Sequence, residues 1–382
     1  MLGPRFFRVS YDLSANLNAP KMTRIHLEKG IASCATGYDL QVRTRSAGEA
    51  LERHLCYCDS EFSCGKAKIS ELDDDIAEWF CSTIPMSGSI KNNEHHEYNV
   101  VSVKELVTQK IYRAPLVAFT LGSNEDDAYY GFRDSSGTAL HKSPELAFLG
   151  ARNEYCERQA LSLFWYYGHC LSCIQLTGEN ADYVAPVAHR FIHHLLSNGK
   201  IYLIDISLIH PVRTILAVYL SKNGPVYYSA GASGAEQVEH AVEKSLLELY
   251  QAYVLMLNIC SDSAKKIVTP DDEIITGYVS YNHMDFYAYW ESVLLRKCNQ
   301  EKDKFSDSVL CNNNFESERI LSLEKSIIFP NAAKNVYFCC LKGMDGFSVM
   351  SLDKGRADIN DKAARHYGCY SHMINKGPIA FA

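Results

Sequence analysis

The sequence predicts an α+β fold, with helices packed on mixed or antiparallel sheet. Two observations carry that expectation. Apolar residues recur at helical spacing in several long stretches, while short runs rich in Val, Ile, Leu and Tyr have the length and composition of strands. The strand-like runs come in pairs and do not alternate singly with helices, as a parallel βαβ sheet would require.

Helical periodicity is clearest first at 44–58 and 68–80. In the second stretch, Asp73, Asp74 and Asp75 read as an acidic helix start favoured by the helix dipole. "APLVAFTLG" (114–122) reads as a strand, and 143–167 and 181–196 as helices. "IYLIDISL" (201–208) and "VRTILAVYL" (212–220) form a strand pair, followed by helical patterns at 236–259 and 283–298. The polar stretch 300–318 is the linker candidate, "NVYFCCLK" (335–342) and "FSVMSL" (347–352) are strands, and 368–382 is a tail.

Composition narrows the function classes. The chain has 382 residues, a formal net charge of −7, and no Lys/Arg-rich run. Nucleic acid and anionic membrane are therefore poor candidates for the main partner. No apolar stretch approaches the ~18 residues that a bilayer-spanning helix needs. The N-terminus lacks the apolar core of a secretory signal, and fourteen cysteines without such a signal point to reduced thiols in the cytoplasm.

One pattern occurs twice. Glu49, Glu52 and Arg53 repeat as Glu154, Glu157 and Arg158, each set near the middle of an expected helix. Positions i, i+3 and i+4 share a helix face, so each triplet projects together. Most such triplets are solvated surface pairs. In the second helix, however, a stripe through Gly150, Ala151, Leu161, Phe164 and Trp165 also contains Glu154 and Glu157. A third helix places Glu248 on the stripe of Ala241, Ser245, Ala252 and Leu255, with Gln251 beside it. Carboxylates facing a core are costly unless paired or bound to metal. Divalent metal is the natural remedy for several at once, because Mg2+ takes carboxylate oxygens and shares its shell with nucleotide phosphates.

The segments 35–54, 134–165 and 229–253 resemble, in order and spacing, the three nucleotide-site segments of the YcaO family. Within that family the likeness is to the cyclodehydratase subunits of microcin-type synthetases. It implies a YcaO-like domain over 31–382, with an ATP-site core at about 31–260 and a short N-terminal extension at 1–30. It implies ATP and Mg2+ as cofactors, with Glu49, Glu52, Glu154 and Glu157 as metal ligands. Arg53, Arg158, Glu248 and Gln251 would contact phosphate or order the site, joined by Ser136 in a glycine-containing turn. The chain departs from the family pattern at Arg45, commonly serine, and at Leu255, where the family has arginine. The usual proline-rich terminus is reduced to Pro378 in "GPIAFA". By resemblance, Pro378 and the carboxylate of Ala382 are the candidate catalytic residues.

Other signals favour plainer readings. Cys170 and Cys173 have zinc-knuckle spacing, but the sequence holds no second Cys-x-x-Cys, so buried structural thiols are expected. His189 and His193 lack the intervening glutamate of a zincin and read as part of an amphipathic helix.

The expected activity is ATP-dependent formation of thiazoline or oxazoline from Cys, Ser or Thr of a ribosomally made precursor peptide. The resemblance implies an E1-like, zinc-containing leader-binding subunit and an FMN-dependent dehydrogenase as partners. The alternatives are another YcaO reaction, such as thioamide or amidine formation, and a non-catalytic scaffold.

Overall fold

The computed structural model describes residues 6–12, 20–27, 32–38, 41–58, 61–84, 95–121, 126–130, 135–181, 189–261, 282–298, 305, 313–328, 335–347 and 357–370. The chain begins with β1 (Phe6–Asp12), β2 (Lys21–Leu27), β3 (Ala32–Gly37) and α1 (Val42–Cys56). Next come β4 (Gly65–Ala67), α2 (Asp74–Thr83), β5 (Tyr98–Glu105), β6 (Ile111–Pro115), α3 (Asp127–Tyr130) and β7 (Thr138–His141). The long α4 (Pro144–Tyr167) leads to β8 (Ser172–Leu176), α5 (His189–Leu196), β9 (Lys200–Asp205), β10 (Ile209–His210), β11 (Arg213–Leu220) and β12 (Tyr228–Ala235). Then follow α6 (Val238–Ser261), α7 (Met284–Cys298), β13 (Asn313–Asn314), β14 (Ile320–Ile327), β15 (Val336–Gly343) and α8 (Ala357–His366).

Three sheets organise these elements. β1–β2–β3 is an antiparallel ribbon, so residues 6–12 and 21–27 of the expected extension pair directly with the start of the nucleotide-site region. The second sheet has the order β12-β11-β9-β8, and the third β4-β5-β14-β15-β7 with β6 added on β5. Every pairing in these three sheets is antiparallel, whereas the short β10–β13 pair is parallel.

Residues of β9 and β11 are apolar almost throughout because both faces of their sheet are covered. Tyr202, Ile204, Leu216 and Val218 face a core shared with α4 and α7, while Ile201, Leu203, Ile215 and Ala217 face α5 and α6. Helix α4 also packs on β15 and β7 of the third sheet, so it is enclosed from two sides. Its ends are defined locally: Ser143 Oγ accepts from the Leu146 amide, Pro144 opens the first turn, and Gly168 closes the last in a left-handed conformation. Burying Leu161, Leu163 and Phe164 contributes roughly 1.5–3 kcal/mol each, which helps hold a carboxylate-bearing helix inside the protein.

Several expectations change. Only the start of 114–122 is strand: β6 ends at Pro115, which has no N–H for further ladder, and Leu116–Ala118 turns into the core as a 3-10 segment. The helix expected from residue 68 begins at Asp74, after β4 and a 3-10 turn at Ile69–Glu71, with Asp74 and Asp75 in its first turn. Within the linker candidate, Asn313–Asn314 pairs with Ile209–His210 and Phe315 is buried. Most of the strand expected at 347–352 lies outside the described residues. Helix α5 exposes His193 and buries Phe191, Ile192 and Leu195, an amphipathic surface helix. Among the described residues, no helix is long and apolar enough to cross a membrane.

Candidate nucleotide site

Helix α1 rests on the β1–β2–β3 ribbon through Val42, Ser46 and Ala50. Ser46 Oγ lies 3.2 Å from both the Thr23 carbonyl and Ser33 Oγ, which ties the helix to two strands. That docking aims the other side of α1 at β7. Glu52 Oε1 accepts from Thr138 Oγ1 at 2.8 Å, and Oε2 from the Leu140 amide at 3.0 Å. One turn back, Glu49 pairs with Arg53 at 2.7 Å.

Helix α4 brings the second pair. Arg158 Nε stands 3.7 Å from both Glu154 Oε1 and Glu157 Oε1, an ion-pair distance longer than a hydrogen bond. Glu157 is buried, and its Oε2 accepts from the Gly234 amide of β12 at 3.1 Å.

Helix α6, the third helix of the site, brings a fifth carboxylate, and glycine sets how near it comes. A Cβ on Gly231 of β12 would lie 2.2 Å from Leu249 N and 2.5 Å from Ser245 O. Without one, α6 lies flat on the strand, and Glu248 stands within electrostatic range of Glu157 and Glu49. Gln251 Oε1 accepts from Thr36 Oγ1 of β3 at 3.0 Å. Arg45 Nη2 is 3.4 Å from the Thr36 carbonyl, so this departure from the family pattern touches the same strand residue.

Burial raises every one of these acids whose shift is resolved. Glu52 is pushed up to about 7, chiefly by desolvation and further by the charge of Glu49, with the Thr138 and Leu140 hydrogen bonds opposing. Desolvation likewise lifts Glu49 against Arg53, and Glu157 against Arg158 and the Gly234 amide. Glu248 is crowded by protein atoms and by Glu157, which raise its carboxyl well above the usual range even though its surface still opens to solvent. Like charges repel by about 4 kcal/mol at 4 Å in a protein-like dielectric, so carboxylates gathered in this way call for cations beyond two arginines.

The structure thus links Glu49, Glu52, Arg53, Glu154, Glu157, Arg158 and Glu248 through ion pairs and electrostatic proximity, with Gln251 of the same helix as Glu248 held on β3. Of these, it is Glu52 that is tied to the Ser136 turn, through Thr138. Ser136 presents its carbonyl to Lys342 Nζ at 2.9 Å, and Gly137 adopts φ +76°. Pro378 and Ala382 lie outside the described residues. Sequence reasoning missed Thr138, the Gly234 amide and Lys342. Only the last left a signal, as a lone charge in the apolar run "YFCCLKG".

Residues 40–309 match the family model described as YcaO cyclodehydratase, ATP- and Mg2+-binding. The chain belongs to the YcaO family. It is 26% identical over 274 residues to the microcin B17-processing protein McbD of Escherichia coli, spanning 69% of this chain and 67% of that protein. Its fold matches the E. coli microcin synthetase McbBCD complex with a TM-score of 0.73 at 22% identity, over 91% of this chain and 90% of that one. It also matches YcaO from Methanopyrus kandleri bound with AMPPCP and Mg2+, with a TM-score of 0.55 at 13% identity, over 90% and 86% of the two chains.

The donor set fits the cofactors of a YcaO protein. Among the described residues, no three His, Cys, Asp or Glu side chains cluster tightly enough to form a metal cage by themselves. Mg2+ bound with nucleotide needs only one or two carboxylates, the remainder coming from phosphate and water. Paired glutamates on separate helices, with hard oxygen donors and partial burial, suit that division.

Proposed function

We propose that this YcaO protein is the ATP-dependent cyclodehydratase subunit of a microcin-type heterocycle synthetase. The observation that carries the reading is the convergence of Glu49 and Glu52, Glu154 and Glu157, and Glu248 from three helices into one partly buried acidic site. Glu49, Glu52, Glu154 and Glu157 hold Mg2+, while Arg53, Arg158, Gln251 and the Ser136 turn orient the triphosphate. Bound Mg2+-ATP supplies the phosphoryl group that makes a peptide-derived oxygen a good leaving group. The substrate's own Cys, Ser or Thr attacks the preceding carbonyl, the resulting hemiorthoamide oxygen departs with that phosphoryl group, and a C=N bond closes the azoline. The chain contributes positioning and charge, so none of its cysteines needs to act as nucleophile.

The relative McbD is a microcin B17-processing protein, and one structure of the McbBCD synthetase complex has pro-MccB17 bound. That supports a precursor peptide as substrate and a multisubunit assembly for this chain. Within it, a zinc-containing E1-like subunit captures the leader and an FMN-dependent dehydrogenase oxidises azolines. Pro378 and Ala382 act at the cyclising peptide.

The test is incubation of the reconstituted complex with ATP, Mg2+ and a cognate peptide, followed by peptide mass and phosphate release. One water lost per modified residue, with ADP and phosphate formed, is the expected result. Exchange of oxygen for sulfur would instead mark thioamide chemistry at the same site. Absence of ATP turnover in the complete complex would leave only a scaffold.

A further inference from the structure

Among the residues whose side-chain burial is described, Lys342 is the one lysine or arginine that is buried, at 7% exposure. It lies on β15 between Leu341 and Gly343, where an apolar side chain would pack without desolvating an ammonium, a cost of several kcal/mol. Its surroundings show what the charge serves. Nζ donates to the Ser136 carbonyl at 2.9 Å, and the Leu341 amide donates to the Gly137 carbonyl at 2.8 Å. A Cβ on Gly137 would sit 2.4 Å from the Leu341 carbonyl oxygen, so glycine alone lets the turn lie this close to β15. The next residue, Thr138, hydrogen-bonds Glu52. Three consecutive residues therefore connect the buried ammonium to an expected metal ligand. Cys56, one turn beyond Glu52 on α1, is within electrostatic range of Glu52, Lys342 and Glu154, so the lysine's charge and a carboxylate from each helix lie near one point on α1.

We propose that Lys342 is a further nucleotide-binding residue, a buried ammonium that clamps the Ser136–Gly137 turn and supplies fixed positive charge for a triphosphate among carboxylates. Lysine suits this as a compact point charge for phosphate. The inference rests on the ATP reading of the site and adds a residue from outside the three segments that carry the family resemblance.

The test uses the full chain, titrated with a non-hydrolysable ATP analogue plus Mg2+, and separately with Mn2+ alone. Lys342→Gln keeps an N–H donor for the Ser136 carbonyl and removes the charge; Lys342→Met removes both. Lys342→Gln is expected to weaken the analogue roughly tenfold while the thermal midpoint stays within a few degrees of wild type. Mn2+ alone should bind as well or better, since a repelling cation has left the carboxylates. Lys342→Met should be at least as weak for the analogue. Unchanged analogue affinity in Lys342→Gln overturns the proposal. So does a joint loss of Mn2+ and analogue with a lowered midpoint, which marks a purely structural lysine. If wild type binds Mn2+ but no Mg2+-analogue, it is the ATP reading itself that falls, and the role of Lys342 falls with it.

Discussion

Glu52 on α1 and Thr138 on β7, 86 residues apart in sequence, meet in a 2.8 Å hydrogen bond. The same threonine hydroxyl lies 2.7 Å from the Ser135 carbonyl, so the carboxylate and the glycine turn are held as one unit. This contact joins the first carboxylate helix to the strand that leads into the second. The consequences can be tested by charge, by pH and by backbone spacing.

Glu154→Gln and Glu157→Gln keep side-chain shape and remove the charge that Mg2+ requires. Each should lower ATP turnover by ~10²-fold or more with the fold intact. Relief of carboxylate repulsion should leave the ligand-free thermal midpoint equal to wild type or higher. Near-wild-type turnover in both variants would refute the metal assignment.

The raised acids make stability depend on pH in a definite direction. Glu52 is pushed from an ordinary 4.5 to about 7, so in that interval the native state holds a proton that the unfolded chain has lost. Native stability without ligand should therefore fall as pH rises through this window. Mg2+ with an ATP analogue binds the deprotonated site, so its stabilisation should be larger at pH 8 than at pH 6. Thermal midpoints with and without ligand across pH 5–8 test both trends, and a ligand-free rise in stability over the window would contradict them.

Gly231→Ala should displace α6, because the added Cβ meets backbone atoms that cannot swing aside. A cost of about 1–3 kcal/mol is expected, together with weaker analogue binding as Glu248 and Gln251 move. Gly48→Ala on α1 is the control: nothing lies within 4 Å of its Cβ, and helical Gly→Ala gains up to ~1 kcal/mol. Equal tolerance of the two changes, read by denaturant midpoint and analogue affinity, would show that the close approach of α6 to β12 has no role.

Deletion of residues 378–382 tests the terminus. If Pro378 and Ala382 act at the cyclising peptide, azoline formation by the complete complex should fall at least ~tenfold while analogue affinity changes by less than about twofold. Wild-type cyclisation by the truncated chain would remove both residues from catalysis.

What the sequence determined by itself was local. The spacing of Glu49, Glu52 and Arg53, and of Glu154, Glu157 and Arg158, sets each triplet on one helix face, because i, i+3 and i+4 coincide at 3.6 residues per turn. The continuous apolar runs of β9 and β11 were likewise legible as strands, since a sheet covered on both faces leaves almost no polar position. What only the tertiary structure decided was where those faces point. Thr138 and the Gly234 amide became partners of Glu52 and Glu157 through strand placement that no periodicity encodes. The turn after Pro115 and the pairing of Asn313–Asn314 with β10 depend on neighbours distant in sequence. The place of Lys342, a single charge in an apolar strand, is set by β15, which brings it against the Ser136 carbonyl. Side-chain periodicity is a property of a few successive residues, whereas the desolvation and repulsion that make a carboxylate site arise from groups that only the packed chain brings within a few ångströms.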